Sequence, residues 1–259
     1  MIAAVGIGPG SLDLLTGEAR AVLAAADVVV GYKPYVELVA PLVAHAQVEA
    51  TGMRQEVDRC RRALELHREG RFVAVVSSGD AGVYGMAGLL MELDPEAEVR
   101  VVPGITAAQA AAARLGAPLM NDFAVLSLSD LLTPREDVLR RAAVVAAADL
   151  VTCLYNPTSR RRRPLFEQVV GIFLEHRSAT TPAGWVRNAY RDGEEVGRCA
   201  LGDLVAAPID MWTTVLIGSS RTEDLGGRMV TRRGYADRYG DATDAPDSWA
   251  TTQTGGSDE

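Results

Sequence analysis

A recurring local pattern most limits what this chain can fold into: a short apolar run of strand length ends in a glycine-rich turn, and a segment with helical spacing follows. Ile2–Val5, Asp27–Val30, Phe72–Ser77 and Val99–Val102 are such runs, and Leu14–Ala25 and Glu56–Glu69 space their apolar residues for helices. This alternation predicts α/β architecture with a parallel sheet. It resumes after Ala117-Pro118, with strands expected at Phe123–Ser127, Leu150–Leu154, Pro182–Val186 and Thr213–Ile217 and helices near Pro134–Ala148 and Pro164–His176. The expectation is therefore two α/β domains. LGAPLMND, following an alanine-rich helix over Thr106–Leu115, marks the boundary with Gly, Pro and Asn. It divides the chain into an N-terminal domain at 1–116, a linker at 117–121 and a C-terminal domain at 122–239. Residues 240–259 turn to Asp, Thr, Ser and Gly and read as a disordered tail.

Three of the turns carry the chemistry. Gly6-Ile7-Gly8-Pro9-Gly10 follows the first strand, where a nucleotide-phosphate loop has to be considered. That reading fails in detail: a dinucleotide fingerprint opens directly into a helix, whereas here Pro9 stiffens the turn and Ser11-Leu12-Asp13 intervenes, and no Gly-Lys-Ser/Thr ending is present. The second turn, Ser77 to Gly85, leads from Val73–Val76 into an apolar helix. Its Asp80 either pairs with a ligand amino group or caps that helix. The third, Val102 to Ala108, again joins strand to helix, with Thr106 as a candidate N-cap. Loops at the carboxyl ends of parallel strands are where open α/β sheets bind ligands, and glycine lets backbone approach a ligand closely. Three such turns at successive strand ends predict one shared cleft.

Composition narrows the class of ligand. A formal net charge of −8 gives no sequence-wide basic surface for duplex phosphates, so no nucleic-acid partner is expected. Arg160–Arg163 is a dense cationic run, read here as solvated surface rather than an anion grip. Cys60, Cys153 and Cys199 are far apart and form no CxxC, which fits a reducing compartment and no metal site. The first residues have no basic region ahead of an apolar stretch, and no apolar run reaches the roughly 20 residues that span a bilayer. A cytoplasmic protein without a membrane partner is expected. His45, His67 and His176 lack motif context and read as structural, whereas Lys33 is the only lysine among many arginines.

The three turn sequences, GIGPGS at Gly6–Ser11, SSGDAGVYGMAGL at Ser77–Leu89 and VPGITAAQAAAARLGAPL at Val102–Leu119, resemble the tetrapyrrole (uroporphyrinogen/precorrin) methyltransferases of the cobalamin pathway in order and spacing. Further segments are similar to the branch that methylates ring carbon 17 of precorrin-3B. They are GYKPY at Gly31–Tyr35, GMRQEVDR at Gly52–Arg59, DFAVLSLSDLLTP at Asp122–Pro134, LYNPTSRRR at Leu154–Arg162, VRNAYRDGEEV at Val186–Val196 and GRMVTRRGY at Gly227–Tyr235. The resemblance covers residues 1–237. It implies a two-domain α/β enzyme, a homodimer, holding S-adenosyl-L-methionine between its domains and releasing S-adenosyl-L-homocysteine. It places Pro9, Gly79, Asp80, Val83, Thr106 and Ala107 at the cofactor from the first domain. Tyr155, Asn156, Asn188, Ala189, Thr213 and Thr214 complete that site from the second.

For this branch the resemblance further implies C17 methylation coupled to ring contraction, giving precorrin-4, with substrate either metal-free or carrying cobalt. The related uroporphyrinogen enzymes carry a proposed Asp and a proposed Lys where Tyr32 and Met53 stand here, so those acid–base roles do not transfer. Candidates for proton transfer are Tyr32, Glu56, Asp122 and Asp130, each equally open to capping, salt-bridge or packing roles. Precorrins carry many carboxylate arms, which call for cationic and hydroxyl groups. Lys33, Tyr35, Arg54, Arg59, Ser127 and Ser129 are the candidates. Two alternatives stay open: a methyltransferase of the same fold acting at another precorrin position or on a protein side chain such as diphthamide, and a non-catalytic cofactor-binding protein.

Overall fold

Strands that are apolar on both faces need cover on both faces, and the valine-rich runs of the first half obtain it from helices on either side. In the computed structural model, which describes residues 1–159 and 162–235, the first half runs β1 (Ile2–Gly6), α1 (Gly17–Ala25), β2 (Val28–Tyr32), α2 (Lys33–Val39), β3 (Gln47–Thr51), α3 (Glu56–Arg68), β4 (Val73–Ser77), α4 (Ala87–Leu93), β5 (Val99–Val102) and α5 (Ala107–Leu115). The strands form one parallel sheet in the order β3-β2-β4-β1-β5. β1 and β4 are buried along their whole length. One face packs Ala3, Val5, Val29, Ala74 and Val76 against α1 and α2, and the other packs Ile2, Ala4, Val28, Val73 and Val75 against α3 and α4.

Local chemistry sets the helix ends. Thr16 caps α1 by accepting the Ala19 amide, so the helix starts at Gly17 rather than at Leu14, and Leu12–Leu14 forms a separate short 3-10 turn. Thr106 and Gln109 form a reciprocal capping box at the start of α5. α2 was not foreseen. It opens with Pro34 in its first turn and lies close over the sheet: a Cβ on Gly31 would sit 2.4 Å from the Val76 side chain and 2.7 Å from that of Val36.

The second half runs β6 (Gly116–Ala117), β7 (Phe123–Ser127), α6 (Arg135–Ala147), β8 (Val151–Tyr155), α7 (Arg163–His176), β9 (Pro182–Arg187), β10 (Glu195–Ala200), β11 (Thr213–Ile217), β12 (Thr222–Asp224) and β13 (Met229–Thr231). Its main sheet has the order β10-β9-β11-β8-β7. β7 and β8 are parallel, but β11 inserts antiparallel between β8 and β9, and β10 is antiparallel to β9. The second α/β unit thus carries a mixed sheet. α6 and α7 cover one face with Val138, Ala142, Leu165, Phe166, Val169 and Phe173.

The other face of that sheet is covered by α5. Ala108, Ala111, Ala112 and Leu115 pack with Cys153, Val186 and Leu216, and Gly184 leaves room for Leu115, whose Cδ2 would lie 2.7 Å from an added Cβ. The helix that follows the third glycine turn therefore seats itself on the second sheet. The chain beyond it is also structured, since Gly116 and Ala117 pair with Met229 and Val230 in a small third sheet. The expected tail at 240–259 and residues 236–239 of the expected C-terminal domain lie outside the described residues. Among the described residues, no helix is long and apolar enough to cross a membrane.

Candidate active-site cleft

The three glycine turns follow β1, β4 and β5, which are neighbours in the sheet, so all three leave the same edge. They touch. Gly8 and Gly79 exchange amide hydrogen bonds of 3.0 and 2.7 Å. A Cβ on Gly104 would lie 2.2 Å from the Gly79 carbonyl oxygen, and one on Gly6 would lie 2.7 Å from the Gly104 nitrogen. Only hydrogen fits at those two points. Asp80 binds the set together: Oδ1 accepts the Gly82 amide at 2.8 Å and Oδ2 accepts the Gly104 amide at 2.9 Å. Both carboxylate oxygens thus bond to backbone amides, so Asp80 braces one turn against the next.

The second half meets these turns at the matching edge of its own sheet. β7, β8 and β9 run in one direction, so Ser127, Tyr155 and Arg187 end together, with Thr213 paired to Arg187 at the start of β11. The Tyr155 hydroxyl accepts the Ala108 amide at 2.7 Å, and burial holds that hydroxyl above the ordinary tyrosine range. Tyr84 crosses from the second glycine turn: its ring lies 5.6 Å from that of Tyr155 and its hydroxyl donates to the Val125 carbonyl at 3.2 Å. Asn156 donates to Ser127 Oγ at 3.2 Å. Left-handed backbone concentrates here, at Tyr84 (φ 55), Asn156 (φ 50), Asn188 (φ 49) and Tyr190 (φ 59). Such backbone is costly for residues other than glycine and gathers at functional sites.

The α2 side contributes Tyr32 and Tyr35, whose rings meet edge-on at 5.1 Å. Burial raises the Tyr35 hydroxyl, opposed by the nearby Arg191 guanidinium. Tyr32 pairs with Thr51 across β2 and β3, which brings the Gly52–Gln55 loop to its side and leads into Glu56 at the start of α3. Lys33 and Arg54 are exposed, Arg54 at φ 65.

The remaining candidates divide. Pro9 is buried in the first turn, Val83 is exposed in the second, and Ala107 opens α5 with an amide that has no intrahelical acceptor. Ala189 sits half-buried after Asn188, and Ser129 half-buried after β7. Thr213 and Thr214 are buried, and Thr213 Oγ1 donates to Asp210 at 2.8 Å. Arg59 differs from its expected role at the surface of the pocket. It is 4% exposed and directs Nε to Thr51 Oγ1 at 2.7 Å and Nη2 to the Gly52 carbonyl at 3.0 Å, so it holds the loop before α3 from within. Asp122 also departs from expectation: it precedes β7, about 17 Å of extended chain from the end that carries Ser127. Asp130 is exposed beyond that end.

Three groups were missed by sequence reasoning. The Tyr84 hydroxyl is one. Arg162, expected to be solvated, is half-buried and donates to the Asn156 carbonyl at 3.1 Å, while Arg163 donates to Glu167 at 3.1 Å; Arg160 and Arg161 lie outside the described residues. Arg191 is the third, reaching from the β9–β10 turn to the Pro9 carbonyl and to Ser78 Oγ. VRNAYRDGEEV was a visible signal, but only its Asn188 and Ala189 were assigned. No group of three or more His, Cys, Asp or Glu side chains arranged for a metal occurs among the described residues.

Comparison with known proteins places this cleft in a family. Residues 1–205 match the family model described as Tetrapyrrole (Corrin/Porphyrin) Methylases. The chain is 46% identical over 239 residues to a "Probable cobalt-factor III C(17)-methyltransferase" of Salmonella typhimurium, covering 91% of this chain and 99% of that protein. It is 44% identical to the "Cobalt-factor III methyltransferase" of Priestia megaterium, again over 91% of this chain but spanning 45% of that longer protein. The crystal structure of the methyltransferase CobJ superposes with a TM-score of 0.83 at 40% identity, covering 89% of this chain and 99% of the other. With its family match running from the first sheet through β10 of the second and its glycine turns gathered at one sheet edge, the chain belongs to the tetrapyrrole (corrin/porphyrin) methylases and is a methyltransferase.

Proposed function

We propose that this chain transfers a methyl group from S-adenosyl-L-methionine to ring carbon 17 of precorrin-3B or its cobalt counterpart, with contraction of the macrocycle to give precorrin-4, in cobalamin biosynthesis. The observation that carries this reading is the near-complete alignment, 46% identical, with a protein named for C17 methylation of cobalt-factor III. A homodimer is part of the same proposal. So is a reducing cytoplasm, with which three free thiols agree.

The cleft suits the cofactor on two grounds. Gly6, Gly79 and Gly104 let three backbone turns close on each other, so the wall beside them consists of amides and carbonyls rather than side chains. Of the side chains that would surround that wall, Thr106, Ala107, Tyr155, Asn156, Asn188 and Ala189, none is a thiol or amine that would compete for a methyl group. Cys153, on β8 beneath the cleft, is buried and its thiol is pushed up to about 12, which leaves it without thiolate at neutral pH. Pro9, Gly79, Asp80, Val83, Thr106 and Ala107 would hold S-adenosylmethionine from one side, and Tyr155, Asn156, Asn188 and Ala189 from the other, with Thr213 and Thr214 behind them. Bound there, the cofactor supplies an electrophilic methyl group.

What the chain itself supplies is position. Holding two reactants aligned at contact distance removes much of the entropic barrier to a bimolecular step. The rigidity for this comes from Asp80 across the turns and from Tyr155 to the start of α5. Tyr32 and Tyr35, with Lys33, Arg54 and Ser127 and Ser129, would face the tetrapyrrole. Tyr32, at the end of β2, and Glu56, at the start of α3 beyond the neighbouring β3, are the proposed proton-handling groups; Asp130 is a third, from the β7 end. Arg59 takes a bracing role in this scheme.

Incubating the purified chain with S-adenosylmethionine and precorrin-3B, or with cobalt-factor III, tests the reading. One added methyl by mass spectrometry and a changed absorbance on ring contraction are expected. Absence of methylation with both substrates would refute it.

A further inference from the structure

Arg191 is half-buried and reaches across the cleft, and among the described residues no carboxylate answers its charge. Its Nε donates to the Pro9 carbonyl, and Nη2 donates to Ser78 Oγ at 2.6 Å. Its Cζ lies 5.9 Å from the centre of the Tyr35 ring. Two of the N–H groups are thus engaged, both by neutral oxygens, and the remaining guanidinium edge has no acceptor among the described residues. No carboxylate among them forms an ion pair with it. Glu194, three residues on, is taken by Arg114 Nε at 3.0 Å and by the Tyr190 amide. Burial lowers the Arg191 pKa, with the Tyr35 hydroxyl acting in the opposite sense.

The backbone is shaped to present this side chain. Asn188 and Tyr190 adopt left-handed φ immediately before it, and the Arg191 amide closes the turn on the Asn188 carbonyl at 2.9 Å. On the opposite wall Gly10 makes room for the stem, since a Cβ there would lie 2.5 Å from Arg191 Cγ. Beside Arg191 opens a cavity of about 470 Å3, walled by Gly10, Ser11 and Leu38 from the first half. The paired Arg114 and Glu194, with Tyr190, close the far side, and the exposed Asp192 completes it. A half-buried cation held only by neutral oxygens is incompletely compensated, and a planar guanidinium with a free edge matches a carboxylate.

Building on the function proposed above, we infer that Arg191 is a substrate-binding residue whose free edge grips a carboxylate side arm of the tetrapyrrole, with the adjoining cavity receiving that arm. It also places the arm beside Pro9 and Ser78, so substrate recognition and the first two glycine turns are linked through one side chain. A carboxylate is present on the methionyl end of the methyl donor as well, and the experiment separates the two sources.

The full chain is compared with Arg191→Lys and Arg191→Gln. For Arg191→Gln the KM for the tetrapyrrole is expected to rise about tenfold or more, as for loss of a charge-assisted bond, with kcat and S-adenosylhomocysteine affinity by calorimetry near wild type. Arg191→Lys should fall between. A tetrapyrrole with its arms converted to methyl esters gives the converse: wild type binds it more weakly than the acid, and Arg191→Gln does not distinguish the two. An unchanged KM overturns the inference. So does a loss of S-adenosylhomocysteine affinity without, or in step with, the loss of tetrapyrrole affinity, which would assign Arg191 to the methyl donor or to the turns. Should the variants be too unstable to assay, equal affinity of wild type for acid and ester would overturn it. Failure of wild-type protein to methylate any tetrapyrrole refutes the proposed function instead.

Discussion

Asp80 and Gly104 are joined by a 2.9 Å hydrogen bond from the Gly104 amide to Oδ2, while Oδ1 of the same carboxylate accepts Gly82. One side chain therefore sets the spacing between the second and third turns of the cleft. Asp80→Ala removes both acceptors. At about 1–3 kcal/mol for a deprived amide, S-adenosylhomocysteine affinity is expected to fall at least about tenfold by calorimetry. Asp80→Asn retains one acceptor of similar shape and should fall between. Wild-type affinity in Asp80→Ala would refute the bracing role.

Gly104→Ala places a methyl group 2.2 Å from the Gly79 carbonyl oxygen, a backbone atom that cannot turn aside. Overpacking of this kind costs about 1–3 kcal/mol, and a thermal melt lowered by several degrees is expected. Cofactor affinity should drop with it. Gly88→Ala, on α4 with nothing near the added methyl, is the control and should melt at or above the wild-type temperature.

Tyr155→Phe deprives the buried Ala108 amide of its acceptor in the first turn of α5. A loss of about 1–3 kcal/mol in urea-melt stability is expected. Tyr84→Phe is the comparison, because Tyr84 is 59% exposed and water takes the place of the lost hydroxyl at the Val125 carbonyl. Equal effects from the two would contradict the assigned roles.

Alkaline pH should destabilise the protein through its buried thiols. Burial pushes Cys60 up from 9.0 to about 11 and Cys153 from 9.0 to about 12, and Tyr35 and Tyr155 are also raised. Unfolded thiols lose their protons near 9 while folded ones keep them, so the unfolded state binds fewer protons and stability falls as pH rises. That contribution is complete below pH 9 and disappears as pH passes through 11 and 12. Urea midpoints measured upward from neutral pH should decline beyond pH 9, and Cys153→Ala should flatten the decline. A midpoint independent of pH would count against burial of both thiols.

Local pattern revealed much of this fold. β5, β7 and β11 begin and end where their apolar runs do, β11 buried in mid-sheet and β5 and β7 at sheet edges whose runs are still mainly apolar. β3 and β10 are sheet edges too, but QVEAT and EVGRCA break the apolar run with polar and small residues, so their composition resembles loop. α2 lay hidden in GYKPY, where a proline and two tyrosines suggest a turn although Pro34 occupies a position helices tolerate. In the cleft, glycine was legible as a means for backbone to approach a ligand; the structure uses Gly6 and Gly104 for close approach of one turn to another and Gly79 for its φ of +70. The partner of each approach was not legible.

The positions of the mainly apolar strands, the N-cap at Thr106, the order of the three glycine turns and the family itself all follow from residues within a few positions of each other, where chain geometry alone fixes the contacts. Tertiary packing decided the rest. The antiparallel insertion of β11 brings Thr213 to the same edge as Tyr155, and no local propensity specifies strand direction. Asp80 became a brace because Gly104, 24 residues away, folds back against it. Arg191 became a cleft residue because Pro9, 182 residues away, offers it a carbonyl. Those contacts depend on how two sheets and the helix between them settle on one another, which is a property of the packed molecule.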